Sequence, residues 1–248
     1  MKKILLFVAA LTMVSCNDND NSGTGSSTDA TLLTSLKQTQ GDGTQTTATY
    51  RYNDNQLIEI NNPVVNQKTI LTYNANFPTE INTYRGNELT QKTVIQYTGS
   101  GQLAQQVIYR YALGNTADIN KYTYTFSAEN VTVNSYRVNG VSDVLTGSSV
   151  YTLSANGNIM SKVTDANNGT TYTYDGNKSP FSDIAGAQVL RLIFLDGGPN
   201  NILTTRIVSG GTITNTYSTY TYNSDGFPLT ENYTTASGEV IARQYNYN

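Results

Sequence analysis

Bulky and small polar residues alternate along most of this chain. In Tyr122-Thr123-Tyr124-Thr125-Phe126 the rings fall on one face and the threonines on the other, and Tyr172/Tyr174, Tyr220/Tyr222 and Tyr245/Tyr247 repeat the pattern. A period of two is the signature of half-buried antiparallel strands, with β-branched Thr suited to the wet side. The alternation is itself copied along the sequence. Taking the last bulky residue before each turn as an anchor gives Tyr52, Tyr73, Tyr97, Phe126, Leu153, Tyr174, Tyr222 and Tyr247, mostly 21 to 29 residues apart with one gap of 48. That gap reads as two units, one of them degenerate near Phe194.

Turn chemistry supports the same alignment. Gly101, Asn130, Gly157 and Gly226 stand four residues after their anchors, and Asn55, Asn76 and Asn177 three after theirs. Gly and Asn tolerate the positive φ that short hairpin loops require. A second set of turns is expected at Arg85-Gly86-Asn87, 165–169, Ser209-Gly210-Gly211 and Ser237-Gly238. Each unit is therefore a strand, a tight turn and a returning strand. The fold class is all-β, an antiparallel meander of about 14–16 strands. So wide a sheet accumulates twist and leaves edges open to pairing, so it is expected to curl into a barrel or a clam-like sheet with the Tyr side inward.

The pattern Tyr-x-Tyr-(Asn/Asp)-x-x-Gly-x-(Leu/Pro), as in Tyr220-Thr221-Tyr222-Asn223-Ser224-Asp225-Gly226-Phe227-Pro228-Leu229, resembles the YD or Rhs-type repeat. Over residues 45–248 the chain is similar to small surface lipoproteins of Bacteroidota, some of them described as porin-like in fold. The Tyr-Asp pair itself occurs only at Tyr174-Asp175, with Asn, Ser or Thr replacing Asp elsewhere. The resemblance implies an architecture and brings no catalytic residue.

Residues 1–15 read as a signal peptide: Lys2 and Lys3, then the apolar run Ile4 to Val14, too short for a membrane-spanning helix. Met13-Val14-Ser15-Cys16 resembles a bacterial lipobox, which implies acylation of Cys16, membrane attachment through the acyl chains and an outer-membrane location. Asn17-Asp18-Asn19-Asp20-Asn21 resembles a surface-export signal and begins a polar tether expected over 16–44. The repeat domain is expected over 45–248. A membrane-embedded barrel is disfavoured, because Tyr recurs along the bulky face where mid-membrane phenols would lack partners.

Residues 179–203 break the rhythm. Ser179 and Pro180 suggest a helix start, with Phe181, Ile184, Ala185, Gln188 and Leu192 on one face. The apolar cluster 189–195 is read as a plug on the open end of the curled sheet, or else as a ligand-gating or docking element.

Composition limits the chemistry. Of 248 residues 13% are charged, against about 25% in ordinary domains, and the net charge is −3. No basic block marks a nucleic-acid surface. There is no His, which removes the Ser-His-Asp triad and the usual neutral-pH proton shuttle, and a single Cys forms no intramolecular disulfide. No cofactor or metal is implied. The residues with binding potential are Tyr122, Tyr124, Tyr172, Tyr174, Tyr220 and Tyr222, whose rings suit sugars or protein partners but equally suit a core, and Glu231 with Arg243. That last pair reads as an internal ion pair or as a polar contact to a sugar. The expected function is non-enzymatic binding of a glycan or other cell-envelope component. A structural subunit of an envelope complex is the alternative, and a hydrolase with paired carboxylates a third.

Overall fold

The computed structural model describes residues 30–112, 115–140, 142–194 and 197–248. The signal peptide, the lipidation of Cys16 and the acidic run behind it lie outside the described residues. Sixteen strands follow one another as a meander that closes on itself. They are β1 (Leu33–Thr39), β2 (Gln45–Asn53), β3 (Gln56–Asn62), β4 (Gln67–Asn74), β5 (Phe77–Arg85), β6 (Glu88–Tyr97), β7 (Leu103–Ala112) and β8 (Asn115–Ser127). The second half comprises β9 (Asn130–Val138), β10 (Asp143–Leu153), β11 (Ile159–Asp165), β12 (Asn168–Lys178), β13 (Asn200–Ser209), β14 (Thr212–Tyr222), β15 (Pro228–Thr234) and β16 (Val240–Tyr247). A single short helix, α1 (Ala187–Ile193), lies between β12 and β13. The expected meander thus closes as a barrel.

Every anchor lies in an even-numbered strand, all but Tyr174 at or next to its end, and a returning odd-numbered strand follows it. The exception is Tyr247, after which the chain offers no returning strand. β1 fills that place by pairing with β16, with Leu36 opposite Tyr245 and Gln38 opposite Arg243. The tether expected over 16–44 is corrected accordingly, since Leu33–Thr39 is barrel wall. Its pattern hid because Leu33 and Leu36 are three apart. A bulge at Thr34, between the pairs Leu33↔Tyr247 and Ser35↔Asn246, lets both leucines face inward.

The same device recurs in five of the hairpins that follow an anchor, though not in β8–β9. Ile58, Thr79, Ala104, Met160 and Leu229 are the extra residues opposite the anchor end of β2, β4, β6, β10 and β14. Each bulge adds local twist and bends the returning strand, which is what closure of a wide sheet needs. Anchor hydroxyls then tie neighbouring strands at this end. Tyr52 donates to Leu33 O, Tyr73 to Leu57 O, Tyr97 to Pro78 O, Tyr174 to Ile159 O and Tyr247 to Pro228 O, at 2.6–3.2 Å. In β14 Tyr220 takes this role toward Ile202 O at 2.9 Å. Phe126 and Leu153, the two anchors without a hydroxyl, leave it vacant.

The turns mostly fall as expected, with φ near +85° at Gly157, Gly211 and Gly238. In the two-residue loops after Asn53, Asn74 and Ser127, however, the left-handed residue is Asp54, Ala75 or Ala128 rather than the Asn inferred from spacing. Asn177 lies within β12.

The 48-residue gap is an insertion, not a degenerate unit. Residues 179–194 leave the wall and enter the lumen, where Ile184 and the fully buried Leu190 pack in one cluster with Leu57, Leu71, Leu103 and Val131. The helix begins at Ala187, not at Ser179. Ser179 N–H donates to Pro199 O and Ala185 N–H to Asn55 O, and Gly186 at φ +69° interrupts any helix before it. A Cβ on Gly186 would lie 2.6 Å from Pro78 Cδ, so the plug touches the wall there. Asp175 holds the insertion's base: its carboxylate accepts from Asn177 N, Asn201 N and Nδ2, and the Tyr222 hydroxyl.

The outer face is mixed, with charged and polar side chains interspersed among apolar ones such as Ile70, Val94, Val107 and Tyr109. Lys37, Arg51, Glu59, Glu80, Lys92 and Lys121 point outward from within their strands, with cross-strand pairs Arg51–Glu59 at 3.2 Å and Lys92–Glu80 at 2.6 Å. Thr, Asn and Gln occupy many other outward places, for example Gln96, Gln105, Thr123 and Asn134.

Candidate functional site

Sixteen strands enclose more space than wall side chains fill, whereas eight leave almost none. The plug takes up part of this lumen and leaves cavities beside it. One of about 260 Å³ lies between the plug and β13–β16, with β1 at its edge. Its wall side carries Tyr220, Glu231, Tyr233, Arg243 and Tyr245, and the plug side carries Phe181 and Arg191.

Register places the charges. Glu231 faces Tyr220 across β14–β15 and Arg243 across β15–β16, all on the inward side. Glu231 is 3% exposed. Its Oε1 accepts from Ser218 Oγ at 2.7 Å, with Tyr220 OH at 3.2 Å; Oε2 accepts from Arg243 Nη1 at 2.9 Å and Tyr245 OH at 2.5 Å. Since the Tyr220 hydroxyl has one hydrogen, its shorter bond to Ile202 O makes the Glu231 contact secondary. Burial works to raise the Glu231 carboxyl, but the Arg243 guanidinium and the Ser218 and Tyr245 hydroxyls outweigh it and hold the pKa below its ordinary value. Burial likewise pulls Arg243 down, and Glu231 reverses that to a net rise. Arg243 also donates from Nε to Gln38 Oε1 at 3.1 Å and lies 5.1 Å from the Tyr233 ring centre. Burial, reinforced by the neighbouring carboxylate, pushes the Tyr245 phenol up.

The Glu231–Arg243 pair is therefore internal, with both carboxylate oxygens of Glu231 hydrogen-bonded. It fixes the closing register and at the same time forms one wall of the cavity. Glu231 is the sole carboxylate among the described residues lining this cavity, so no acid/base pair stands across it.

The other expected residues divide. Tyr122 and Tyr124 line a second cavity of about 550 Å³ on the other side of the plug, with Tyr151, Lys162 and Leu192. There Lys162 Nζ sits 5.4 Å from the Tyr151 ring centre, and Gln106 Nε2 donates to Tyr124 OH at 2.7 Å. Tyr172, Tyr174 and Tyr222 line neither cavity. Tyr174 and Tyr222 spend their hydroxyls on Ile159 O and Asp175. Residues missed from sequence are Arg191, Asn201, Phe181 and Lys162. Arg191 had one signal, as the only charge in the apolar run 187–195; Asn201 had none.

No family model matches the chain, so the YD/Rhs-type resemblance gains no support there. No curated protein matches it either. Among solved structures it is similar to a porin-like protein from Bacteroides vulgatus, at 15% identity and a TM-score of 0.57, over 88% of this chain and 99% of that one. A porin-like protein from Bacteroides uniformis aligns over 88% of this chain and 98% of its own at 11% identity and a TM-score of 0.39. The first likeness bears out the barrel architecture and nothing finer.

Proposed function

We propose that this chain is an outer-membrane lipoprotein, anchored through Cys16 and displayed on the cell surface, whose barrel binds a glycan or other envelope component without catalysis. The observation that carries this reading is the inversion of the barrel. Its outer face bears charges within the strands, and most of its aromatic residues turn into the lumen, although Tyr84, Tyr109, Tyr136 and Tyr217 face outward. A barrel spanning the bilayer carries an outward apolar band, and a Lys or Arg at the midplane costs it roughly 2–4 kcal/mol. Lys37, Lys92 and Lys121 are ordinary on a water-facing wall. The porin-like description of the structural neighbour is in keeping with an envelope location, and the lipobox-like Met13-Val14-Ser15-Cys16 supplies attachment in place of a lipid-facing surface.

Aromatic rings beside hydroxyls, amides and a fixed charge suit a small polar ligand with an apolar face. The lone, fully bonded Glu231 favours binding over hydrolysis, which needs two suitably spaced carboxyls. A glycan-array screen of the full-length protein, together with palmitate labelling of wild type and Cys16→Ala, tests the reading. Binding of a defined glycan set and label lost in the variant are expected. A silent array or an unlabelled wild type would overturn the corresponding half.

One observation favours the structural alternative. On the outer face Val150 pairs with Val163, and Val208 with Ile213, with Gly169 between the two pairs. This exposed apolar row suits contact with another envelope protein, and sedimentation of the protein in detergent, alone and from mild extracts, would reveal a stable assembly.

A further inference from the structure

The plug brings into the lumen a charge that has no counter-charge among the described residues. Arg191 is the one basic residue of α1, half-buried beside the fully buried Leu190. A guanidinium offers five N–H donors. Among the described residues Arg191 uses one, from Nη2 to Phe181 O at 3.5 Å, and it forms no ion pair. The nearest carboxylate in that cavity, Glu231, is committed to Arg243, Tyr245 and Ser218. Burial alone pulls the Arg191 pKa down, to about 10, leaving it charged at neutral pH. A cation kept from water without a partner is costly, and an incoming anion removes that cost.

A second group on the same cavity wall is also incomplete. Asn201 is 3% exposed, and its Nδ2 donates to the Asp175 carboxylate and to Lys178 O. Those neighbours are acceptors only, which fixes the amide's orientation and directs Oδ1 elsewhere. Oδ1 is buried and receives no hydrogen bond. The cavity is therefore lined by a cation that forms no ion pair among the described residues, beside the rings of Tyr220 and Tyr233, while Asn201 Oδ1 is closed off behind it. Its volume of about 260 Å³ lies below the roughly 300–1,000 Å³ of pockets that take drug-sized ligands. One ring fits; a chain of rings does not.

We propose that this cavity binds a carboxylated monosaccharide, with the carboxylate on the Arg191 guanidinium and the apolar sugar face on tyrosine. The assignment rests on the glycan-binding reading above and gives it a ligand class. Arg191 suits a planar carboxylate because its fork of donors matches two oxygens at once. Asn200, Thr205, Thr216 and Ser218 on the same lining suit ring hydroxyls, which separates a sugar acid from a plain anion.

Calorimetric titration of the full-length protein tests this with four probes: glucuronate, glucose, cyclohexanecarboxylate and inorganic phosphate. Glucuronate is expected to bind at least tenfold more tightly than each of the other three. Arg191→Met should remove its advantage over glucose. Because this variant deletes an unpaired charge, its Tm should hold or rise. Should it misfold, the wild-type protein still decides the matter through a Tm rise with glucuronate that glucose does not reproduce. Glucose binding as tightly as glucuronate, unchanged by Arg191→Met, would overturn the sugar-acid site and leave the general glycan reading standing. Equal binding of phosphate or cyclohexanecarboxylate would reduce the cavity to an anion site and overturn the proposal. No binding of either sugar here, with a silent glycan array, would overturn both.

Discussion

Arg243 stands directly opposite Glu231 in the β15–β16 register, and its Nη1 donates to Oε2 at 2.9 Å inside the barrel. Both belong to the last hairpin, next to the β1–β16 seam where the two ends of the wall meet. Removing one partner of a buried pair leaves an uncompensated charge, at about 3–5 kcal/mol when burial is complete. Arg243 keeps 27% of its side chain exposed, which lowers the figure here. Glu231→Gln should destabilise the barrel by roughly 2–3 kcal/mol in denaturant unfolding, while replacing both residues with Met should cost less than either single change. Equal or additive losses would remove the coupling argued for this pair.

The acid dependence follows from the same carboxylate. Its folded pKa is depressed, so its stabilisation is complete above the ordinary carboxylate range and is lost as pH falls through the lower folded value. Wild type and Glu231→Gln should therefore differ in stability at pH 7 and converge toward pH 3. A difference that persists undiminished at pH 3 would contradict the assignment.

The tyrosine-to-carbonyl bonds are open to the same treatment. Tyr97→Phe, which deletes the 2.6 Å bond to Pro78 O, should cost about 1 kcal/mol. Tyr52→Phe and Tyr247→Phe should cost similar amounts, because each removes an equivalent bond. If all three deletions are neutral, the repeat is held by packing alone.

Much of this was legible in the chain. Eight anchors specified the even strands, because Tyr alternation survives wherever no bulge intervenes. The odd strands were harder. A bulge near the start of most of them shifts the inward positions by one, so Leu57 and Ile60 both face the lumen three residues apart. β1 carried no aromatic anchor and vanished into the polar run before it. The Glu231–Arg243 pair was legible because both share parity with neighbouring tyrosines across a short turn. Arg191 and Asn201 were not, since their meeting depends on where the insertion folds back, and no local period encodes that.

Alkaline titration checks the inward placement of the ring face. Burial raises the Tyr50 and Tyr73 phenols to about 12, and it pushes Tyr52, Tyr97, Tyr220 and Tyr245 up as well. Raised values mean that folding favours the neutral phenol, so this stability is present below pH 10 and is lost as pH climbs toward the folded values. Absorbance of phenolate at pH 11 should fall well short of that in denaturant, with the remainder appearing together with loss of β-sheet signal. Titration of all 19 tyrosines near pH 10 in the folded protein would place the rings in water.

The plug depends on one backbone site. Gly186 has φ +69° and no room for a Cβ beside Pro78. Gly186→Ala should cost about 2–4 kcal/mol, from overpacking and from the left-handed backbone together. Hydrogen exchange should show the loss concentrated in α1 and the β4–β5 turn.

The central claim is that the wall faces water while the chain is held at the cell surface by its lipid. Cys16 is the only cysteine, and acylation would leave no free thiol, so a single new one can report its surroundings. Gln105, outward and within β7, is the position to use. In intact cells, Gln105→Cys is predicted to react fully with a membrane-impermeant maleimide. Protection of Gln105→Cys in intact cells that persists after permeabilisation, and is relieved only by detergent, would bury this wall in the bilayer and contradict the account.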